Sequence, residues 1–157
     1  MDNKFEKLFA EYPFTMTDEM VKETAQDILK KHFDENNNIE VWKQCLHSID
    51  LTTLNGEDTT EKVETMAQRV NEFETHFPDI PNVAAMCVYP SLVQTAADTL
   101  TEAIGIAAVA AGFPASQTFV EIKVAESAMA VAAGATEIDI VISIGKFLEG
   151  NYQEVYD

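Results

Sequence analysis

The most suggestive feature for chemistry is a carboxylate inside an apolar run. Residues 137–144, EIDIVISI, alternate isoleucine with other side chains, which is the period of a β-strand. One predicted face needs helices packed against it, and it carries Ile138, Ile140, Ile142 and Ile144. The other carries Glu137, Asp139, Val141 and Ser143. Because a carboxylate within a parallel strand is costly unless paired or protonated, Asp139 is the first candidate catalytic group. The alternative is a structural aspartate bonded to backbone amides or a nearby threonine.

Two earlier runs place polar or small residues on one face in the same way. In the strand predicted over 48–53, Asp50 and Thr52 share a face, and in the strand predicted over 83–89, Cys87 lies between Ala85 and Tyr89. An open sheet covered by helices on both sides favours two apolar faces, whereas a barrel interior accepts small and polar ones. Barrel active sites lie at the carboxyl ends of the strands, where we expect Asp50 and Cys87, with Asp139 deeper.

These candidates are positioned by alternating strand and helix patterns. Strands are predicted over 48–53, 83–89, 106–112 and 137–144, and helices over 59–73, 91–103, 120–133 and from 152 onward. Such alternation predicts an α/β fold with a parallel sheet, here about the first four units of a β/α barrel. Residues 1–45 have helical patterns only, with one helix starting after Thr17 and broken at residues 36–38, NNN. We therefore predict a helical extension over 1–45 and a barrel segment over 46–157.

Composition excludes several function classes. The 157 residues carry 27 acidic and 10 basic side chains, and the net charge of −17 argues against binding nucleic acid or an anionic membrane. No apolar run reaches the ~20 residues that span a bilayer, and no secretory signal pattern is present, so we expect a cytoplasmic protein. Cys45 and Cys87 lack metal spacing and are expected to be free thiols. No Gly-rich phosphate loop follows a strand, which disfavours a nucleotide or flavin binder of the flavodoxin type.

Four motifs in order resemble one enzyme family. They are DLTTLN at residues 50–55, AMCVYP at 85–90, GFP at 112–114 and GATEIDIV at 134–141, and together they resemble deoxyribose-phosphate aldolase. The resemblance covers roughly residues 46–157. It implies a (β/α)₈ barrel that needs no metal or cofactor and is a homo-oligomer. It also implies reversible cleavage of 2-deoxy-D-ribose 5-phosphate to glyceraldehyde 3-phosphate and acetaldehyde through a lysine Schiff base.

The resemblance also implies roles for individual residues. Asp139 matches the family's catalytic aspartate, which donates and accepts protons. Asp50 and Thr52 fall in the motif that lines the hydroxyl-bearing part of the substrate, and Cys87 matches a thiol near the site that the chemistry does not require. For Cys87 the alternative is a small buried side chain in the barrel wall.

One part of the family's machinery is expected to be absent from this chain. The Schiff-base lysine, the second catalytic lysine and the phosphate loops belong to later strands of the family's barrel, so the 157 residues alone are expected to be inactive. Lys146 is interpreted as a solvated loop lysine and Lys123 as a surface lysine. The alternative function is a non-enzymatic half barrel that pairs with itself or with a second half through its open strand edges.

Overall fold

A computed structural model describes residues 4–157, so residues 1–3 of the predicted helical extension lie outside the described residues. The chain divides into two compact units, residues 1–42 and residues 43–157. Each unit is described by itself below. None of the described helices is long and apolar enough to cross a membrane.

The first unit is helical, as its pattern predicts. It contains α1 (Lys4–Glu11), α2 (Asp18–Asn36) and the start of α3 (Ile39–His47). The predicted N-cap of α2 is confirmed, because the Thr17 hydroxyl accepts the Met20 backbone N–H at 3.2 Å. The predicted stop is confirmed too, since α2 ends at Asn36 and the Asn38 side chain accepts two N–H groups of the next helix at 3.1 Å each. None of these three helices has a buried residue.

The second unit alternates strands and helices. Its strands are β1 (Asp50–Thr52), β2 (Ala85–Val88), β3 (Gly105–Ala110) and β4 (Glu137–Ile140). Its helices are α4 (Thr60–His76), α5 (Val93–Thr99), α6 (Val120–Ala132), α7 (Ile144–Leu148) and α8 (Tyr152–Tyr156), and a 3₁₀ turn over Pro90–Leu92 precedes α5. Every predicted strand exists, and each is shorter than its apolar pattern.

The four strands form one parallel sheet in the order β1-β2-β3-β4. This order progresses in one direction, as in a barrel, whereas the common doubly wound sheets reverse direction near the first strand. The α/β class with a parallel sheet is therefore confirmed, and the order favours the barrel.

The two faces of the sheet differ as the alternation predicts. On one face, strand residues Met86, Val88 and Ala108 pack with buried residues of α4, α5 and α6. This helix-covered face is called the outer face. On the opposite inner face, Cys87, Ala107 and Val109 contact Leu54, Tyr89 and Phe113, and none of these six belongs to a helix of the sheet's crossovers. Helices on one face only are the arrangement of a barrel wall.

The fourth strand departs from its prediction. β4 ends at Ile140, and Ile144 begins α7. Ile138 packs into the outer-face core, but Ile140, Ile142 and Ile144 are 56%, 50% and 48% exposed, so the prediction that all four pack against helices is wrong. The reason is local: β4 pairs only with β3, and five-residue α8 gives its outer side little cover.

Candidate active site

The register of the sheet arranges the inner-face side chains in three rows. The first row aligns Asp50 with Ala85, and Ala85 with Gly105. The second aligns Thr52, Cys87, Ala107 and Glu137 in that order. The third, nearer the carboxyl ends of the strands, aligns Val109 with Asp139. All four predicted site residues therefore lie on one face within three successive rows.

The predicted positions of these residues along their strands are partly wrong. Cys87 is the third of four residues in β2, toward the carboxyl end as expected, but Asp50 is the first residue of β1. Asp139 lies one row beyond Cys87 and two rows beyond Asp50, so it is nearer the catalytic edge of a barrel than either. The difference arises because β1 begins two residues later than predicted and β4 begins opposite the third residue of β3.

The charges of this face affect the pKa of the Cys87 thiol. Burial raises the pKa of the Cys87 thiol, and the negative charges of Asp139, Asp50 and Glu137 raise it further, while a hydrogen bond with the Thr52 hydroxyl opposes them. The thiol is 3% exposed and is accordingly a weak nucleophile at neutral pH. It is therefore not suited to attack a substrate.

Glu137 is the member of this group to which the sequence interpretation gave no role, although it placed Glu137 on the face of Asp139. Its carboxylate lies over Gly105, where an added Cβ would come 2.4 Å from Glu137 Oε1 and 3.1 Å from Ala85 Cβ. Gly105 thus leaves the space that the Glu137 side chain occupies. The alternation of side chains along a strand already indicates this position, since Glu137 and Asp139 are two residues apart and must share a face.

Asp139 is open to solvent. Its side chain and those of Asp50 and Glu137 are exposed, and within residues 4–157 no hydrogen bond or ion pair involves the Asp139 carboxylate. The structural alternative, an aspartate bonded to backbone amides or a threonine, therefore finds no support in the described contacts. A solvent-exposed carboxylate without a partner among the described residues is suited to take or give a proton.

Asp58 is a structural carboxylate in the loop after β1. Its side chain is 1% exposed, accepts the Thr53 hydroxyl at 2.9 Å and the Asn55 backbone N–H at 2.9 Å, and pairs with Lys62 at 2.5 Å. The ion pair with Lys62 is the main cause that lowers the pKa of Asp58 to about 2. These contacts satisfy the carboxylate within its own loop, so we do not include Asp58 in the candidate site.

The two lysines nearest the carboxyl edge differ in their contacts. Lys146, in α7, is partly buried and forms ion pairs with Glu149 at 3.6 Å and Glu154 at 3.5 Å. Lys123, in α6, is half-buried and donates to Ser116 at 2.7 Å and Ser143 at 2.5 Å, so its interpretation as a surface lysine is wrong. The inner-face rows contain no lysine among the described residues.

Comparison with known proteins identifies the family. Residues 45–157 match the model of the DeoC/LacD family aldolases. The chain belongs to this family. The match begins just before β1 and includes the whole four-stranded sheet, so the DeoC/LacD assignment concerns the unit that carries Asp139 and Cys87.

Individual DeoC/LacD relatives have a named activity. The chain is 39% identical over 121 residues to the deoxyribose-phosphate aldolase of Homo sapiens, and 39% identical over 120 residues to that of Mus musculus. Each match covers 69% of this chain and 38% of the relative. The chain thus spans well under half the length of these curated relatives.

Solved structures agree on the fold. QR15, an aldolase, superposes with a TM-score of 0.61 at 25% identity, covering 70% of this chain and 45% of that one. The deoxyribose phosphate aldolase from Aeropyrum pernix, described as having a unique tetrameric structure, superposes with a TM-score of 0.59 at 21% identity, covering 84% and 55%. The four-stranded unit is accordingly a partial barrel of the aldolase type.

Proposed function

We propose that residues 46–157 form the first four β/α units of a deoxyribose-phosphate aldolase and supply the Asp139 part of its active site. The observation that carries the proposal is the inner face, where Asp139 lies toward the carboxyl edge with Asp50, Thr52 and Cys87 in the two preceding rows. Membership of the DeoC/LacD aldolases supports a reaction of the aldehyde-lyase class. Residues 1–45 are the helical extension in this proposal.

The proposed substrate is 2-deoxy-D-ribose 5-phosphate. A lysine amine adds to its aldehyde carbon and loses water, and the resulting iminium accepts the electron pair of the breaking carbon–carbon bond. The substrate's hydroxyl proton leaves as glyceraldehyde 3-phosphate forms, and the remaining enamine takes a proton before water releases acetaldehyde. Asp139 serves as donor and acceptor in these transfers.

The other inner-face residues have supporting roles in this proposal. Asp50 and Thr52 line the hydroxyl-bearing part of the substrate, and Cys87 is a buried neighbour that the chemistry does not use. The Schiff-base lysine lies outside these 157 residues, and the whole enzyme is a cytoplasmic homo-oligomer of deoxyribonucleotide catabolism without metal or cofactor. The tetramer described for the Aeropyrum pernix aldolase supports the oligomer.

Reductive trapping tests where the lysine lies. The 157-residue chain is incubated with acetaldehyde and borohydride, and modified lysines are located by peptide mass spectrometry, with the human relative as a positive control. We expect no single lysine of the chain to be modified above the level of the denatured chain, because Lys146 is ion-paired and the inner face carries no lysine. A stable adduct at one site, Lys146 above all, would contradict the proposal, and Lys146→Arg would then identify the nucleophile.

A second candidate function is a non-enzymatic assembly unit. It is favoured by the free edges of β1 and β4, each of which pairs with one neighbour, and by Ile140 and Ile142 beside the β4 edge, each at least half exposed. Unpaired parallel edges bind other chains readily. Under this function the chain pairs with a second copy or a separate second half and performs no chemistry.

Light scattering distinguishes this candidate. An assembly unit is expected to give a dimer or larger species whose mass falls to that of a monomer in Ile140→Glu, because a charge beside an edge opposes pairing. Gln94→Glu, on the surface of α5, is the matched control and should leave the mass unchanged. A wild-type chain that stays monomeric over the accessible concentrations excludes the candidate.

A further inference from the structure

Helix α6 presents its polar residues toward the sheet and its apolar residues outward. Lys123, Glu126 and Ser127 are half-buried, and all three side chains are hydrogen-bonded. The exposed apolar residues of the helix, each between 48% and 72% exposed, are Val120, Ile122, Val124, Met129 and Val131. A helix on a sheet normally turns its apolar stripe inward, so the inward polar groups of α6 require a specific explanation.

The Lys123 ammonium joins three segments of the chain. It extends from α6 and donates to the hydroxyl of Ser116, in the loop after β3, and to the hydroxyl of Ser143, in the segment after β4. Within the described part of the chain it forms no ion pair, so these two hydroxyls are its partners. Hydrogen bonds from a charged donor are stronger than neutral ones, which makes this a firm connection between the two loops.

The loop after β3 needs such support. Ala111 and Ser116 have φ angles of 61° and 55°, in the left-handed region that costs a non-glycine residue about 1–2 kcal/mol. Glu126 holds the beginning of this loop by accepting the Gly112 backbone N–H at 3.0 Å, and Lys123 holds its end at Ser116. Glu126 and Lys123 therefore fix both ends of a strained loop.

Phe113 lies in this loop. Its ring packs on the inner-face cluster of Cys87, Ala107 and Val109, so the position of the loop determines how well the inner face is covered. The segment held by Ser143 follows β4, the strand that bears Asp139. One lysine thus contacts both the loop that carries Phe113 and the segment that follows the Asp139 strand.

We propose that Lys123 is a positioning residue, which ties the loop after β3 to the segment after β4 and thereby keeps Phe113 on the inner face and the end of β4 in place. The consequence for Asp139 rests on the proposed function, whereas the consequence for the cover over Cys87 does not. The second consequence can be measured without any turnover.

The experiment uses Cys87 as a probe of the inner face. In a Cys45→Ser background Cys87 is the single thiol, and its rate of alkylation by iodoacetamide is followed by mass spectrometry at mildly alkaline pH. Lys123→Met is expected to raise this rate by about tenfold or more, the factor that follows from losing charge-assisted hydrogen bonds. Since removing a positive charge can only disfavour the thiolate, faster alkylation reports access and not a more reactive thiol.

Controls separate positioning from general destabilisation. Lys146→Met, at a lysine whose ion pairs are with Glu149 and Glu154 of its own and the next helical segment, should change the rate by less than about twofold. Lys123→Arg, which keeps donors for both hydroxyls, should restore slow alkylation, and Ser143→Ala should give an intermediate rise if Lys123→Met fails to fold. The unfolding equilibrium constant of each variant is measured in urea. The proposal is overturned if the alkylation rate of Lys123→Met rises no more than its unfolding equilibrium constant. It is also overturned if Lys146→Met raises the alkylation rate equally. These expected alkylation rates do not depend on the proposed function, so they would stay the same if the chain were not part of an aldolase.

Discussion

Replacing Asp139 by asparagine is expected to lower kcat for cleavage of 2-deoxyribose 5-phosphate by about 10²–10⁴-fold, the usual contribution of a positioned proton donor and acceptor. Asparagine has nearly the same shape but neither accepts nor releases the proton. Because Asp139 is exposed and unpaired among the described residues, its replacement should leave the stability of the chain nearly unchanged. The loss should therefore appear in kcat far more than in KM.

The measurement needs a complete barrel. A chimera in which the matching segment of this chain replaces that of the human aldolase provides one, and an assay coupled to glyceraldehyde 3-phosphate formation gives kcat and KM. Asp98→Asn, on the surface of α5, is the matched control and should retain full activity. Glu137→Gln tests the neighbouring carboxylate and is expected to lose less than Asp139→Asn, since Glu137 lies one row further from the carboxyl edge. Full activity in Asp139→Asn would remove Asp139 from the proton transfers.

The faces of the sheet could be predicted from the sequence because they follow from alternation alone. Side chains two residues apart on a strand share a face, whatever the exact strand ends. The prediction that Cys87 shares a face with Ala85 and Tyr89 needed no other information, and the inner-face cluster confirms it for Cys87. Tyr89 packs against both the inner-face cluster and the helix-covered core. The same rule puts Asp139 on the face of Glu137, although only the structure shows how Gly105 admits the Glu137 side chain.

The ends of the strands, and the positions of site residues relative to one another along them, could not be predicted because they depend on pairing with the neighbouring strand. The run at 137–144 is apolar throughout its alternate positions, but it remains a strand only as far as β3 offers partners, and it ends at Ile140. The placement of Asp139 beyond Cys87 depends on the alignment of Ala107 with Glu137, a contact between residues thirty positions apart that no local pattern encodes.

Lys123 was misinterpreted for a related reason. In the sequence it is one of three charged residues of α6, with Glu121 and Glu126, and charged side chains are mostly solvated. Its two partners, Ser116 and Ser143, become neighbours only when the loops after β3 and β4 meet above α6. Lys123, Glu126 and Ser127 are spaced to share one side of α6, and this polar stripe is the signal that could have identified it.

Replacing Met86 by alanine is expected to lower the free energy of unfolding by about 2–5 kcal/mol, the range for a large side chain removed from a close-packed core. Met86 is fully buried on the outer face of β2, a strand paired on both sides, and packs with buried residues of α4 and α5. Urea unfolding followed by circular dichroism measures the change. Met129→Ala, at a methionine that is 72% exposed on α6, is the matched control and should alter stability by no more than about 0.5 kcal/mol.

Comparing Met86 with its neighbour Cys87 tests the two-faced sheet directly. Both residues are buried and adjacent in β2, but Met86 points to the helices and Cys87 to the loops of the inner face. Cys87→Ala removes one heavy atom and should cost only about 1 kcal/mol, so a large difference between the two variants is expected. Since Met86→Ala removes three heavy atoms and Cys87→Ala only one, similar losses would mean that Cys87 is packed much more tightly than the loop cover of the inner face implies. Because a barrel wall has helices on one face only, that outcome would contradict a loosely covered inner face at the level of packing, independently of any measurement of activity.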